Sequence, residues 1–141
     1  RNSIYQIDFK VRFMDGFKGN RENFFQIHQS DSGCRGTPLV MVKFNDGLLL
    51  GDNVVKIEDI IGNWVNFKMI LDLVDMSYNI YINNKVFIED RPLRTRLMGC
   101  ARPHIKFGIY RPGYYRSDGS LVPNNTSIVD FDYIKFKKLN P

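Results

Sequence analysis

The sequence predicts an all-β protein, an antiparallel β-sandwich or β-jelly roll. Three observations predict it. Apolar and polar residues alternate with period two through almost every apolar segment. Such segments are short and recur at near-regular spacing between clusters of turn-forming residues. No segment sustains a long helical period, and no internal repeat or low-complexity tract interrupts the pattern. A chain of 141 residues suits one domain with one core, so residues 1–141 are expected to form a single domain.

The elements follow in order. Tyr5, Ile7, Phe9, Val11 and Phe13 alternate with Gln6, Asp8, Lys10 and Arg12, which makes a strand with one buried and one wet face. The segment DGFKGN (15–20) is turn chemistry, and NFFQIHQ (23–29) is the second strand. Strict alternation sends Phe25 and Ile27 to its core face and Phe24, Gln26 and His28 to the other. A loop rich in Gly and Ser follows, then the strand LVMVKF (39–44). Asp46–Gly47 favours a hairpin turn, with LLLG returning from it. The connection VVKIEDIIGNW holds a short helix. WVNFKMILDLV is a long strand, and DMSYNIYINNKVFIED reads as strand, Asn83–Asn84 turn, strand. HIKFGIYR, a long loop and a final strand IVDFDYIKFKKL close the chain.

The net charge of +5 favours a polyanionic partner. No Lys/Arg-bearing helix or nucleic-acid motif points to nucleic acid, and no long apolar run points to a transmembrane helix. An anionic membrane surface or an acidic polysaccharide suits the same charge, and so does a mildly basic solvated surface with no such partner; the oligomeric state is left unknown. Two cysteines, Cys34 and Cys100, flank the two polar strand motifs. They form either one disulfide, which would suit a secreted protein, or two separate buried thiols. Overlapping glycosylation sequons stand at Asn124 and Asn125. Two distant histidines and no Cys-x-x-Cys argue against zinc. No cofactor is expected; calcium on loop carboxylates such as Asp31 or Asp118 has no motif behind it. The chain begins at Arg1 rather than Met, so it is expected to be a processed product or a fragment truncated at its N-terminus.

Two strands carry side chains suited to proton chemistry. Gln26 and His28 share one face of the second strand; His104, Lys106, Gly108 and Tyr110 share one face of HIKFGIY, with Ile105, Phe107 and Ile109 on its apolar face. Histidine can act as a base near neutral pH, and tyrosine can exchange a proton with a substrate. Gln and Lys can hold a carboxylate and the negative charge that builds on it. Gly108 leaves a gap where a sugar ring could approach the sheet. These parts meet the needs of β-elimination from a uronic acid. Spacing alone nevertheless favours an ordinary solvated strand face over any enzyme.

The order of the motifs adds to this. FFQIHQ, GNWVNFKMIL with YNIYINNKVF, IKFGIYR and VDFDYIKF together resemble the polysaccharide lyases of the heparin lyase I, glucuronan lyase and alginate lyase group, which share a concanavalin A-like β-jelly roll. The resemblance covers most of the chain. It implies that Tyr110 is the catalytic tyrosine and that His28 is the base or assists it. It implies that Gln26 neutralises the uronate carboxylate and that Lys106 binds substrate. Arg111, His104, Tyr114, Tyr115 and Arg116 become candidate subsite residues. The group's upstream arginine strand has no counterpart; Arg1 and Arg12 match no motif. The resemblance implies an acidic polysaccharide as the partner, with no nucleic acid and no membrane, and the expected function is a secreted, extracellular polysaccharide lyase. The alternative is a non-catalytic carbohydrate-binding or structural module on the same fold. A glycoside hydrolase ranks last, since Asp130 and Asp132 sit together at the chain end rather than across a cleft.

Overall fold

The computed structural model describes residues 3–31, 33–100, 102–110 and 127–139. Two five-stranded antiparallel sheets stack face to face. Sheet A contains β1 (Ile4–Phe13), β6 (Trp64–Asp72), β7 (Ser77–Ile82), β8 (Lys85–Pro92) and β10 (Val129–Lys138), in the order β10-β1-β6-β7-β8. Sheet B contains β2 (Glu22–His28), β3 (Val40–Asn45), β4 (Leu48–Leu50), β5 (Val54–Lys56) and β9 (His104–Tyr110), in the order β5-β4-β3-β2-β9. This is the jelly-roll sandwich that the alternation predicts. The expected short helix is one turn, α1 (Ile57–Ile60).

Turn chemistry fixes the hairpins. Asp46 and Gly47 both take positive φ, 50° and 76°, as do Asn83 and Asn84, 48° and 67°. Positive φ at both central residues makes a two-residue turn whose twist matches the strands it joins. Asn83 also caps the neighbouring strand, its Oδ1 accepting the Asn66 N–H at 2.9 Å.

The core is a slab of aromatic and aliphatic side chains from both inner faces. In β1, Ile7, Phe9, Val11 and Phe13 are buried, as read from the alternation. Phe9 stacks on Phe25 of the opposite sheet with centroids 4.1 Å apart, and on Phe67 of its own sheet at 4.9 Å. Phe13 meets Phe24 edge-on at 4.9 Å and Phe44 at 5.1 Å. Such pairs contribute roughly 0.5–1.5 kcal/mol each beyond the burial of their area.

Alternation fails at Phe24 and at Phe107. Phe24 was expected on the wet face, yet it is fully buried beside Phe25. The register of β2 shifts between Asn23 and Phe25 against both neighbours, the signature of a β-bulge. The bulge lets two consecutive phenylalanines reach the core. Phe107 departs in the other direction: it was expected in the core and is 60% exposed, touching Phe131 at 5.2 Å along the margin of the two sheets. Among the described residues β9 is the last strand of sheet B, and no further strand of that sheet covers the ring.

Cys34 and Cys100 are joined, which settles the alternative left open by the sequence. The bridge ties the loop after β2 to the segment before β9, closing a sequence separation of 66 residues. Gln29 works beside it. Its side chain is fully buried; its Nε2 donates to the Thr37 and Arg96 carbonyls, and its Oε1 accepts the Met98 N–H. Gly36 packs against Gln29 so closely that an added Cβ would fall 2.5 Å from Gln29 Cγ.

Two stability outcomes follow. Phe9→Ala should cost about 3–5 kcal/mol in urea unfolding, because it empties the contact that joins the two sheets. Reduction of Cys34–Cys100 should cost about 2–4 kcal/mol by release of a long loop, read as a lowered melting temperature in reductant.

Candidate active site

The outer face of sheet B carries the candidate residues. In β2 the buried Phe25 and Ile27 hold the strand to the core, so Gln26 and His28 face outward. In β9, Ile105 and Ile109 pack inward, and Lys106 and Tyr110 stand outward. Pairing of the two strands sets the rungs: His28 lies opposite His104, Gln26 opposite Lys106, and Asn23 opposite Tyr110. The first two rungs continue the pattern that the sequence implies. The third exists because of the bulge: with Phe24 turned into the core, Asn23 takes the outward position. β3 extends the rungs with Met41 beside Gln26 and Lys43 beside Asn23.

Gln26, His28, Lys106 and Tyr110 all line one cleft of about 530 Å³, together with Asn23, Pro38, Met41 and Gly108. The cleft is long. At about 3.3 Å per residue, the His28 rung and the Tyr110 rung lie roughly 15–20 Å apart along the strands. His28 and Tyr110 therefore sit toward opposite ends, with the Gln26–Lys106 rung between them. His104 stands beside His28, ring centroids 5.8 Å apart, but outside the cleft lining. Arg111, Tyr114, Tyr115 and Arg116 lie outside the described residues, as do Arg1, Asp118 and the sequons at Asn124 and Asn125.

His28 is held in one state. Its Nδ1 accepts the backbone N–H groups of Gln29 and Ser30, both at 3.0 Å. A ring nitrogen that accepts carries no hydrogen, so the neutral imidazole bears its proton on Nε2. Burial lowers the His28 pKa below its ordinary 6.5, and the positive charges of Lys106 and of His104 lower it further. The ring thus stays neutral below its usual range and offers an N–H donor at its free edge.

Tyr110 is 60% exposed, which leaves its hydroxyl accessible to a ligand. Gly108 takes φ 111°, a backbone conformation that side chains rarely adopt, and an added Cβ would meet open space. The glycine is therefore set by its backbone angle at the bulge, and the open space above it is the gap that the sequence implies.

Arg12 belongs elsewhere. It projects from sheet A, pairs with Asp130 at 2.9 Å, and lies over the Trp64 ring at 4.6 Å. It cannot reach a ligand on the outer face of sheet B. Asp130 is likewise committed to that pair. Among the described residues no group of three His, Cys, Asp or Glu could hold a metal ion, and no helix is long and apolar enough to cross a membrane.

Asn23, Met41 and Lys43 are cleft-face residues that sequence reasoning missed. Asn23 had a signal: two adjacent phenylalanines in a period-two strand cannot both be buried without a bulge, and a bulge exchanges its neighbours' faces.

No family model matches the chain, and no curated protein matches it in sequence. Solved structures do resemble it in fold. An alginate lyase of polysaccharide lyase family 7, AlgAT5, matches with a TM-score of 0.65 at 11% identity, covering 98% of this chain and 60% of its own. The family 7 alginate lyase A1-II′, in a substrate complex, matches at 0.66 and 15% identity over 99% of this chain and 62% of its own. The cellulose-induced protein Cip1 matches at 0.58 and 12% identity over 97% of this chain and 68% of its own. This chain thus spans about three fifths of the length of the alginate lyases it matches. At these identities the likeness establishes the sandwich fold.

The lowered His28 pKa has a definite sign. The unfolded chain takes up the His28 proton near pH 6.5, before the folded chain does. This contribution to stability is present above pH 6.5 and is lost as pH falls toward the lower, folded value. Lys106→Met should raise the His28 pKa part of the way back, since burial remains the larger cause. An NMR titration of the His28 ring reads this directly, and an unchanged midpoint would show that Lys106 does not act on His28.

Proposed function

We propose that the cleft binds a uronate-containing polysaccharide and cleaves it by β-elimination. The observation that carries the reading is the collection of Gln26, His28, Lys106 and Tyr110 in one open cleft, on a fold shared with alginate lyases. An open groove on a sheet face suits an extended polymer better than a small enclosed ligand.

The chemistry balances as follows. A base takes the proton from C5, and the C–H electron pair moves toward the carboxyl group as an enolate. That pair returns to form the C4–C5 double bond as the C4–O4 bond breaks. O4 leaves with the sugar before it and takes up a proton. The difficult species is the enolate, which needs donors and positive charge at the carboxylate. Gln26 and Lys106 face each other across one rung and supply an amide donor and a cation.

Tyr110 is assigned both proton transfers. Its ionised oxygen takes the C5 proton, and the resulting phenol returns a proton to O4, where C5–H and C4–O4 share one face of the ring. His28 is assigned a supporting role. Its Nδ1 is already engaged by two backbone donors, so its free edge presents a hydrogen rather than a lone pair. It serves as a neutral donor to bound sugar toward the other end of the cleft. Of the two roles that the resemblance leaves open for His28, the hydrogen-bond geometry favours assistance over base. The oligosaccharide complexes of A1-II′ agree with an acidic polysaccharide as partner. Secretion is proposed with it, on the disulfide.

An ultraviolet assay for the unsaturated uronate product tests this, run on alginate, glucuronan, heparin, heparan sulfate and hyaluronan. Absorbance should rise with one polymer. Tyr110→Phe should lower kcat by a factor of about 10²–10⁴ or more with KM little changed, because it removes only the proton-carrying oxygen. Binding to a polymer with no product would replace the lyase by a carbohydrate-binding module.

A further inference from the structure

Asn23 is out of place for a structural residue. It is only 4% exposed, yet its Oδ1 has no hydrogen-bond partner among the described residues. A buried polar atom without a partner is costly, and native proteins rarely keep one without a use. Gln29 shows the contrast six residues later: likewise enclosed, it bonds three backbone groups. Asn23 lines the cleft and stands directly opposite Tyr110. Its position there depends on the β2 bulge, which turns Phe24 into the core and Asn23 outward. Bulges that re-aim a side chain are common beside active sites.

We infer that Asn23 is a substrate-binding residue whose side-chain carbonyl accepts a hydrogen bond from a ring hydroxyl of the uronate held at Tyr110. The inference rests on the reading of this cleft as a uronate site, but not on turnover. The partner's chemistry follows from the acceptor. A carboxylate at neutral pH has no hydrogen to donate, whereas the ring hydroxyls of a uronate do. Asn23 therefore reads the hydroxyls, while Gln26 and Lys106, the next outward-facing rung past Phe25–Phe107, meet the carboxylate. Because a site built to pair with a hydroxyl is left unpaired by an analogue that lacks it, Asn23 also selects uronates whose ring hydroxyls are free. Acetylation at those positions removes the donor and should weaken binding.

The test is calorimetric binding of guluronate and mannuronate trimers, unmodified and O-acetylated, to the Tyr110→Phe protein with and without Asn23→Leu. Leucine keeps the size of Asn23 and removes the unpaired oxygen. The protein with Asn23 should bind one unmodified trimer at least about tenfold more tightly than its acetylated form. Asn23→Leu should lose about tenfold in affinity for the unmodified trimer and should no longer distinguish the two. Its melting temperature without ligand should be equal to the parent's or higher, since a buried unpaired oxygen is gone. Asn23→Ala, read in the same way, serves if the leucine variant does not fold. Affinity and discrimination unchanged in these variants would overturn the role of Asn23 and leave the cleft's function standing. A lowered melting temperature with lost binding would make Asn23 a structural residue. Failure of the parent to bind any uronate trimer would overturn the reading of the cleft, and this inference with it.

Discussion

The stacking of Phe9 on Phe25, with Phe13 against Phe24, is the contact on which the rest of the molecule depends. It joins β1 of one sheet to β2 of the other through fully buried phenylalanine rings. It also fixes the rotation of β2 along its length. Two neighbouring phenylalanines can both enter the core only if the strand bulges between them and the residue before. Once that bulge exists, Asn23, Gln26 and His28 are all outward, and the cleft has its floor. Packing on one side of the sheet thus determines the chemistry displayed on the other.

The far strand answers this geometry. β9 meets β2 in a register that breaks where β2 bulges, and Gly108 absorbs the break with a backbone angle that other residues rarely adopt. The two irregular points lie side by side. They separate a regular half of the cleft, holding the His28 and Gln26–Lys106 rungs, from a distorted half holding Asn23 and Tyr110. The regular half is fixed by hydrogen bonding at its end, where His28 takes two backbone donors and Gln29 locks the following loop under the Cys34–Cys100 bridge. The distorted half has an exposed tyrosine and an amide oxygen without a partner among the described residues. Under the proposed function the fixed half would hold the substrate and the distorted half would carry the proton transfers.

Much of this was legible in the sequence. Period-two alternation located the strands because a sandwich strand has one dry and one wet face, and the Asp-Gly and Asn-Asn turns fell where both φ angles are positive. Gln26, His28 and Lys106 share a cleft because alternation holds at those positions, and Tyr110 joins them past the irregular point at Gly108. Three things were not legible. The bulge breaks alternation through a tertiary demand, two rings competing for one core, which a local pattern does not encode. Phe107 looks like a core residue but belongs to a strand at the end of its sheet, and strand order is not written in periodicity. The distance between His28 and Tyr110 depends on the pairing register of β2 and β9, which a shared face does not give.

The central claim is that this cleft, and no other surface, receives a uronate chain. Backbone amide NMR of the Tyr110→Phe protein during titration with a saturated uronate oligosaccharide tests it most directly. The account predicts shifts confined to β2, β9 and the facing residues of β3, largest near Asn23, Gln26 and Lys106. Shifts on the outer face of sheet A, around Arg12 and Trp64, with β2 and β9 unmoved, would contradict it.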